Sequence, residues 1–170
     1  MPAAMSGKAL TAEEVRALVS RDLTQLAPRF RDALLLGLHD CWRAGFDPVV
    51  YEAVRSNEVQ QAYYALGRTA PGQIVTYAAD ARWSWHFYGL AVDVISRARG
   101  WQTTNTWRAE VTRLLTARGL DWGGAWTRPD LPHYQWGGMA ARPKKAPDIY
   151  AAAGGGQAGR LAVWSAVNAL

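Results

Sequence analysis

Two short stretches hold residue types able to bind a metal and move a proton: SWHFYGLAVD at 84–93 and DLPHYQW at 130–136. Zinc hydrolases take three protein ligands from His and Asp or Glu, and leave a fourth position to water. Of the three histidines in the chain, His86 and His133 each lie near an aspartate in a Gly- or Pro-conditioned segment, whereas His39 does not. Asp93 interrupts the otherwise apolar run at 90–95, which reads as a buried strand. Gly89 lets the chain turn back, so that a loop histidine and a strand aspartate face one ion, and Pro132 restricts the backbone ahead of His133. His86, Asp93 and His133 are therefore the candidate ligands. An ion held by two neutral imidazoles and one carboxylate keeps positive charge, enough to acidify a water toward pKa ~7 and polarise a carbonyl. Asp130 is the candidate to pass the water's proton to a leaving amine, and Arg55 the candidate partner for an oxyanion or a substrate carboxylate. Residue type alone leaves other roles open. Asp93 fits a hydrogen-bonded structural acid, the histidines satisfied core groups, Arg55 a surface ion pair, and Trp122 and Trp126 ordinary core.

These residues need a frame. Thr11 and Glu14 form a capping box ahead of Val15, Leu18 and Val19, which predicts a short first helix. Phe30, Leu34, Leu38 and Trp42 recur every four residues in a predicted helix over 28–44, with Pro28 in its first turn and Gly45 ending it. The stretch FDPVVYEAVRS reads as a strand, with Val49, Tyr51 and Ala53 on one face and Val50, Glu52 and Val54 on the other; Arg55 sits at its end. A helix capped by Asn57 and closed by Gly67 follows, then a loop over 68–89 that delivers Ser84 and His86. A further helix over 104–118, a Gly- and Trp-rich turn, and a short strand HYQW complete the central region. Beyond residue 140 the chain is basic, with Arg142, Lys144 and Lys145, and AAAGGGQAG reads as a flexible joint before a final apolar segment at 161–170.

With 170 residues, 49% of them hydrophobic and 19% charged, the chain supports one domain with a real core rather than a disordered segment. The single cysteine, Cys41, excludes an internal disulfide, as suits folding in a reducing compartment. Acidic and basic residues break up the N-terminal stretch, so no signal peptide is expected, and no apolar run reaches a membrane-spanning length. The net charge of +5 favours polyanionic surfaces, but the cations are dispersed and form no nucleic-acid stripe.

SWHFYGLAVD carries the Ser-x-His-x-x-Gly-x-Ala-x-Asp pattern and DLPHYQW an acid-x-x-His pattern. Together with VYEAVRSNEVQQAYYALGRT upstream, they resemble the zinc peptidoglycan peptidases that include D-alanyl-D-alanine carboxypeptidases and dipeptidases and phage L-alanyl-D-glutamate endolysins. The resemblance implies an α+β fold of the Hedgehog and D-Ala-D-Ala peptidase type, with a small antiparallel sheet holding Zn2+. It implies His86, Asp93 and His133 as ligands, Asp130 as catalytic acid/base, Arg55 as polariser or substrate anchor, and Ser84 and Gln60 as substrate contacts. The GLDWGGAW turn, and Asp130 and Gln135 where the carboxypeptidase branch usually has glutamates, favour the endolysin branch. That branch implies cleavage of the L-alanyl-D-glutamate bond of peptidoglycan and bacterial lysis. It also implies synthesis in the cytoplasm of an infected cell, with action on the wall after release. A monomer is expected, with one catalytic domain over 1–140 and a basic segment, Gly-rich joint and C-terminal helix over 141–170. That tail is too short for a wall-binding domain; docking on the domain is expected of its helix, with membrane contact as the alternative, and contact with an anionic cell envelope is expected of the basic segment. The rival readings are a D-alanyl-D-alanine carboxypeptidase or dipeptidase, and a wall-binding module without catalysis.

Overall fold

A computed structural model describes residues 10–137 and 145–170. The elements, in chain order, are α1 (Ala12–Ala17), α2 (Pro28–Arg43), β1 (Pro48–Glu52), α3 (Asn57–Ala65), β2 (Ala91–Ser96), α4 (Asn105–Thr116), β3 (Leu120–Trp122), β4 (His133–Trp136), α5 (Ala146–Ala152) and α6 (Gly156–Ala166). The four strands form one antiparallel sheet in the order β1-β2-β4-β3. This is the α+β architecture that the sequence predicts.

One sheet face packs on helices. Phe30, Leu34, Leu38 and Cys41 of α2 meet Val92 and Val94 of β2, Val111 and Leu115 of α4, and Tyr134 of β4 in one buried cluster. Cys41, not Trp42, completes the α2 stripe, because four-residue steps drift about 120° around the helix between positions 30 and 42. Trp42 is accordingly exposed, with its indole N–H donating to Pro48 O.

Three local features differ from the sequence reading. Ser56, not Asn57, caps α3, its hydroxyl accepting from Val59 N–H, while the Asn57 side chain accepts from Ala81 N–H. In β1, Val50 pairs with Val94 and Glu52 with Asp93, leaving Tyr51 as the extra residue of a bulge. A bulge breaks strict alternation, so Tyr51 and Glu52 both line the cleft described below, although alternation places them on opposite faces. The glycines at 154–156, read from sequence as a flexible joint, instead form a turn between α5 and α6. All three adopt positive φ, and Gly155 N–H and Gly156 N–H donate to the carbonyl and hydroxyl of Tyr150.

Helix α6 packs back onto the domain through Val163, and Ala169 just beyond it is also buried. Trp164 Nε1 donates to Tyr88 O, Trp136 Nε1 to Val167 O, and Arg29 N–H to Ala169 O. Arg142 and Lys144 of the basic cluster, and the expected boundary at 140, lie outside the described residues. Among the described residues no helix is long and apolar enough to cross a membrane.

Candidate metal centre

Asp93 on β2 has Glu52 of β1 as its register partner on one side and His133 of β4 on the other. His86 reaches the same point from the turn before β2. That turn is fixed by Leu90 N–H donating to Trp85 O and Arg55 N–H donating to His86 O. Gly89 has φ +69°, and a Cβ there would stand 2.6 Å from Gln25 O, so both conformation and contact require glycine.

Three buried atoms converge. His86 Nε2 lies 3.2 Å from His133 Nδ1 and 3.4 Å from Asp93 Oδ1, and the third edge, His133 Nδ1 to Asp93 Oδ1, is 3.7 Å. Tetrahedral zinc with bonds of about 2.0–2.1 Å sets its donors about 3.3 Å apart, so a triangle of this size fits the ion. A second observation agrees. Asp93 Oδ1 is buried without a hydrogen-bond partner, a costly state for a carboxylate unless a cation engages it. Burial opposes ionisation of Asp93, but the neighbouring imidazoles of His86 and His133 and the Arg55 guanidinium prevail and hold its carboxyl well below the usual range.

The outer nitrogens decide how each histidine presents its lone pair. Ala53 O, which only accepts, lies 2.9 Å from His86 Nδ1, so that nitrogen carries the proton and Nε2 faces the triangle bare. His133 is reversed: Nε2 donates to Gln135 Oε1 at 3.0 Å, leaving Nδ1 free. These partners orient the rings as outer-shell groups of metal-binding histidines do.

Asp130 stands at the rim, its carboxylate half-exposed and 4.0 Å from His133 Nδ1. Partial burial and the nearby Asp93 charge raise its pKa above the ordinary carboxylate value, moving it toward the range useful for proton transfer. Its backbone is anchored by Asp130 N–H donating to Gly123 O. Trp126, from the same loop, tilts over His133 with ring centroids 4.9 Å apart and is 43% exposed. Trp122 has a different role, packing against the core with Nε1 donating to Leu131 O.

The site opens into a cleft of about 1310 Å³, lined by Arg55, Ser84, His86, Asp93, Asp130 and His133 among others. Ser84 is half-buried and closes the short turn Ala81–Trp83. Gln60 is the residue to correct. It is fully buried and absent from the cleft wall, its amide donating to Thr76 Oγ1 and Ala78 O while its oxygen accepts from Arg55. It braces the wall rather than touching a substrate. Arg55 is likewise engaged: Nε and Nη2 clasp both oxygens of Glu52, and Nη2 lies 3.7 Å from Asp93 Oδ2. Glu52, 1% exposed, went unrecognised in the sequence, yet an acid in an apolar strand three residues before an arginine is the kind of interruption that marked Asp93.

Comparison with known proteins adds to this geometry. Residues 78–136 match the family model described as D-alanyl-D-alanine carboxypeptidase. The chain is 33% identical over 129 residues to the peptidoglycan L-alanyl-D-glutamate endopeptidase CwlK of Bacillus subtilis (strain 168), the match covering 69% of this chain and 75% of that protein. Among solved structures, the LdcB LD-carboxypeptidase superposes with a TM-score of 0.50 at 18% identity, covering 75% of this chain and 64% of that one. The L-Ala D-Glu endopeptidase ChiX of Serratia marcescens gives a TM-score of 0.47 at 23% identity over 76% of this chain and 88% of that one.

Proposed function

The chain belongs to the D-alanyl-D-alanine carboxypeptidase family of peptidoglycan peptidases, and we propose that it is a zinc endopeptidase cutting the L-alanyl-D-glutamate bond of stem peptides. The observation that carries this reading is the buried triangle of His86, Asp93 and His133, with its unpartnered carboxylate oxygen and Asp130 beside it. The specificity of the Bacillus subtilis relative, an L-alanyl-D-glutamate endopeptidase, supports the choice of bond.

His86 Nε2, Asp93 Oδ1 and His133 Nδ1 would hold the ion, whose chemistry when bound is to polarise the scissile carbonyl and acidify a water. Asp130 takes the proton of the attacking water and returns it to the departing D-glutamyl nitrogen, a role suited to a rim carboxylate with raised proton affinity. Arg55, clasped by Glu52, keeps the Asp93 side of the site electrically balanced and presents its remaining edge to the cleft. Ser84 and Trp126 line the path of the peptide. Within this reading the chain acts as a phage-type endolysin, made in the host cytoplasm and lysing the cell from the wall.

The experiment is a digest of purified peptidoglycan read by mass spectrometry. Fragments beginning with D-glutamate support the proposal. Release of terminal D-alanine with the L-alanyl-D-glutamate bonds intact replaces it with the carboxypeptidase reading that the family description favours. Lysis of cells by enzyme expressed inside them, dependent on a co-expressed pore-former, tests the endolysin role.

A further inference from the structure

Arg55 is the arginine that the sequence nominates for a substrate carboxylate, but three of its donors are occupied by Glu52 and Gln60. Among the described residues, the other cations lining the cleft are Arg16 and Arg128. Arg128 belongs to the loop that carries Trp126 and Asp130, and Pro129 after it restricts its backbone to extended conformations. Among the described residues no carboxylate is ion-paired with it. Its guanidinium lies 4.8 Å over the ring of Tyr77, a residue 69% exposed on the loop opposite. A cation–π contact of this kind takes up no hydrogen-bond acceptor, so the guanidinium N–H donors stay available for a planar anion.

The proposed substrate carries such an anion. The D-glutamyl residue continues the stem through its side-chain carboxyl, so its α-carboxylate is free, on the carbon bonded to the scissile nitrogen. Asp130, which delivers a proton to that nitrogen, lies two residues from Arg128. Resting on the endopeptidase reading above, we infer that Arg128 is a specificity residue that binds the free α-carboxylate of the D-glutamyl residue on the leaving side. The protein then distinguishes stems bearing D-glutamate from stems in which this carboxylate is amidated.

The test uses the zinc-loaded full chain and two synthetic muropeptides that differ only in α-carboxylate or α-carboxamide at this residue. The wild type is expected to favour the carboxylate form in kcat/KM by about ten-fold, the lower end of what a hydrogen bond to a charged group contributes. Arg128→Gln is expected to collapse the carboxylate-to-amide ratio toward one, with the larger loss on the carboxylate substrate, and Arg16→Gln to preserve the ratio. Equal rates in the wild type, a uniform slowing of both substrates by Arg128→Gln, or loss of the ratio in Arg16→Gln overturns the inference. Intact L-alanyl-D-glutamate bonds in both muropeptides, with D-alanine released instead, sinks the endopeptidase reading itself and this inference with it.

Discussion

Glu52 and Asp93 are register partners on adjacent strands, two shielded carboxylates side by side with the guanidinium of Arg55 reaching both. The two acids have different duties: Glu52 fixes the arginine by two hydrogen bonds, which frees Asp93 Oδ1 to face the histidines.

Removing the Glu52 charge leaves the shielded Arg55 guanidinium, among the described residues, with only its 3.7 Å contact to Asp93 for charge compensation. Glu52→Gln is therefore expected to destabilise the fold by about 3–5 kcal/mol, measured by urea denaturation. The double variant Glu52→Gln with Arg55→Gln should recover part of the loss. If it is as unstable as the single variant, the pair is not the source of the effect.

At the candidate metal centre, His86→Ala and His133→Ala are expected to lose stoichiometric zinc. Asp130→Ala should retain zinc while turnover falls by about 10²–10⁴-fold, the contribution typical of a positioned acid/base. Metal analysis beside kcat decides it: zinc lost equally from all three variants would make Asp130 a ligand and place the proton carrier elsewhere.

Gln135 acts through His133. Gln135→Leu removes the acceptor that holds the His133 Nε2 proton, and zinc affinity is expected to weaken by about 10–100-fold, read by competition with a chromogenic chelator. Gln135→Glu restores an acceptor and should restore affinity; failure to do so would argue against ring orientation as the cause.

Acid sensitivity has a site of its own at Asp47. Burial pushes its pKa up, but hydrogen bonds from Ala98 N–H, Trp107 Nε1 and Ser96 Oγ outweigh this and leave it below 3.8. Because the folded value is depressed, the stabilisation is present above the ordinary value and is lost as pH falls through the folded one. Unfolding free energy should fall as pH drops below the ordinary carboxylate range, and less steeply in Asp47→Asn. Parallel curves for the two proteins would contradict this.

The cluster of candidate ligands was readable from sequence because each residue breaks its surroundings: Asp93 sits in an apolar strand, and His86 and His133 in segments shaped by Gly89 and Pro132. The α+β order of elements followed from caps and periodicity. Sequence could not place Gln60, because whether a helix glutamine faces a cleft or braces a wall is decided by residues such as Thr76 and Ala78 packing against it. Tyr51 escaped for another reason: period-two alternation presumes a regular ladder, and one extra residue in β1 redirects it. The occupancy of Arg55, which shifts attention to Arg128, likewise depends on a strand ending three residues earlier at Glu52.

Helix α6 touches no ligand, yet its indole Trp164 holds the carbonyl of Tyr88, two residues from His86, while Val167 just past it receives the indole of Trp136, three residues from His133. The helix thus acts as a splint across the two segments that carry the histidines. Cutting it away would remove both clamps at once and slacken the spacing of His86 and His133 on which the candidate site depends.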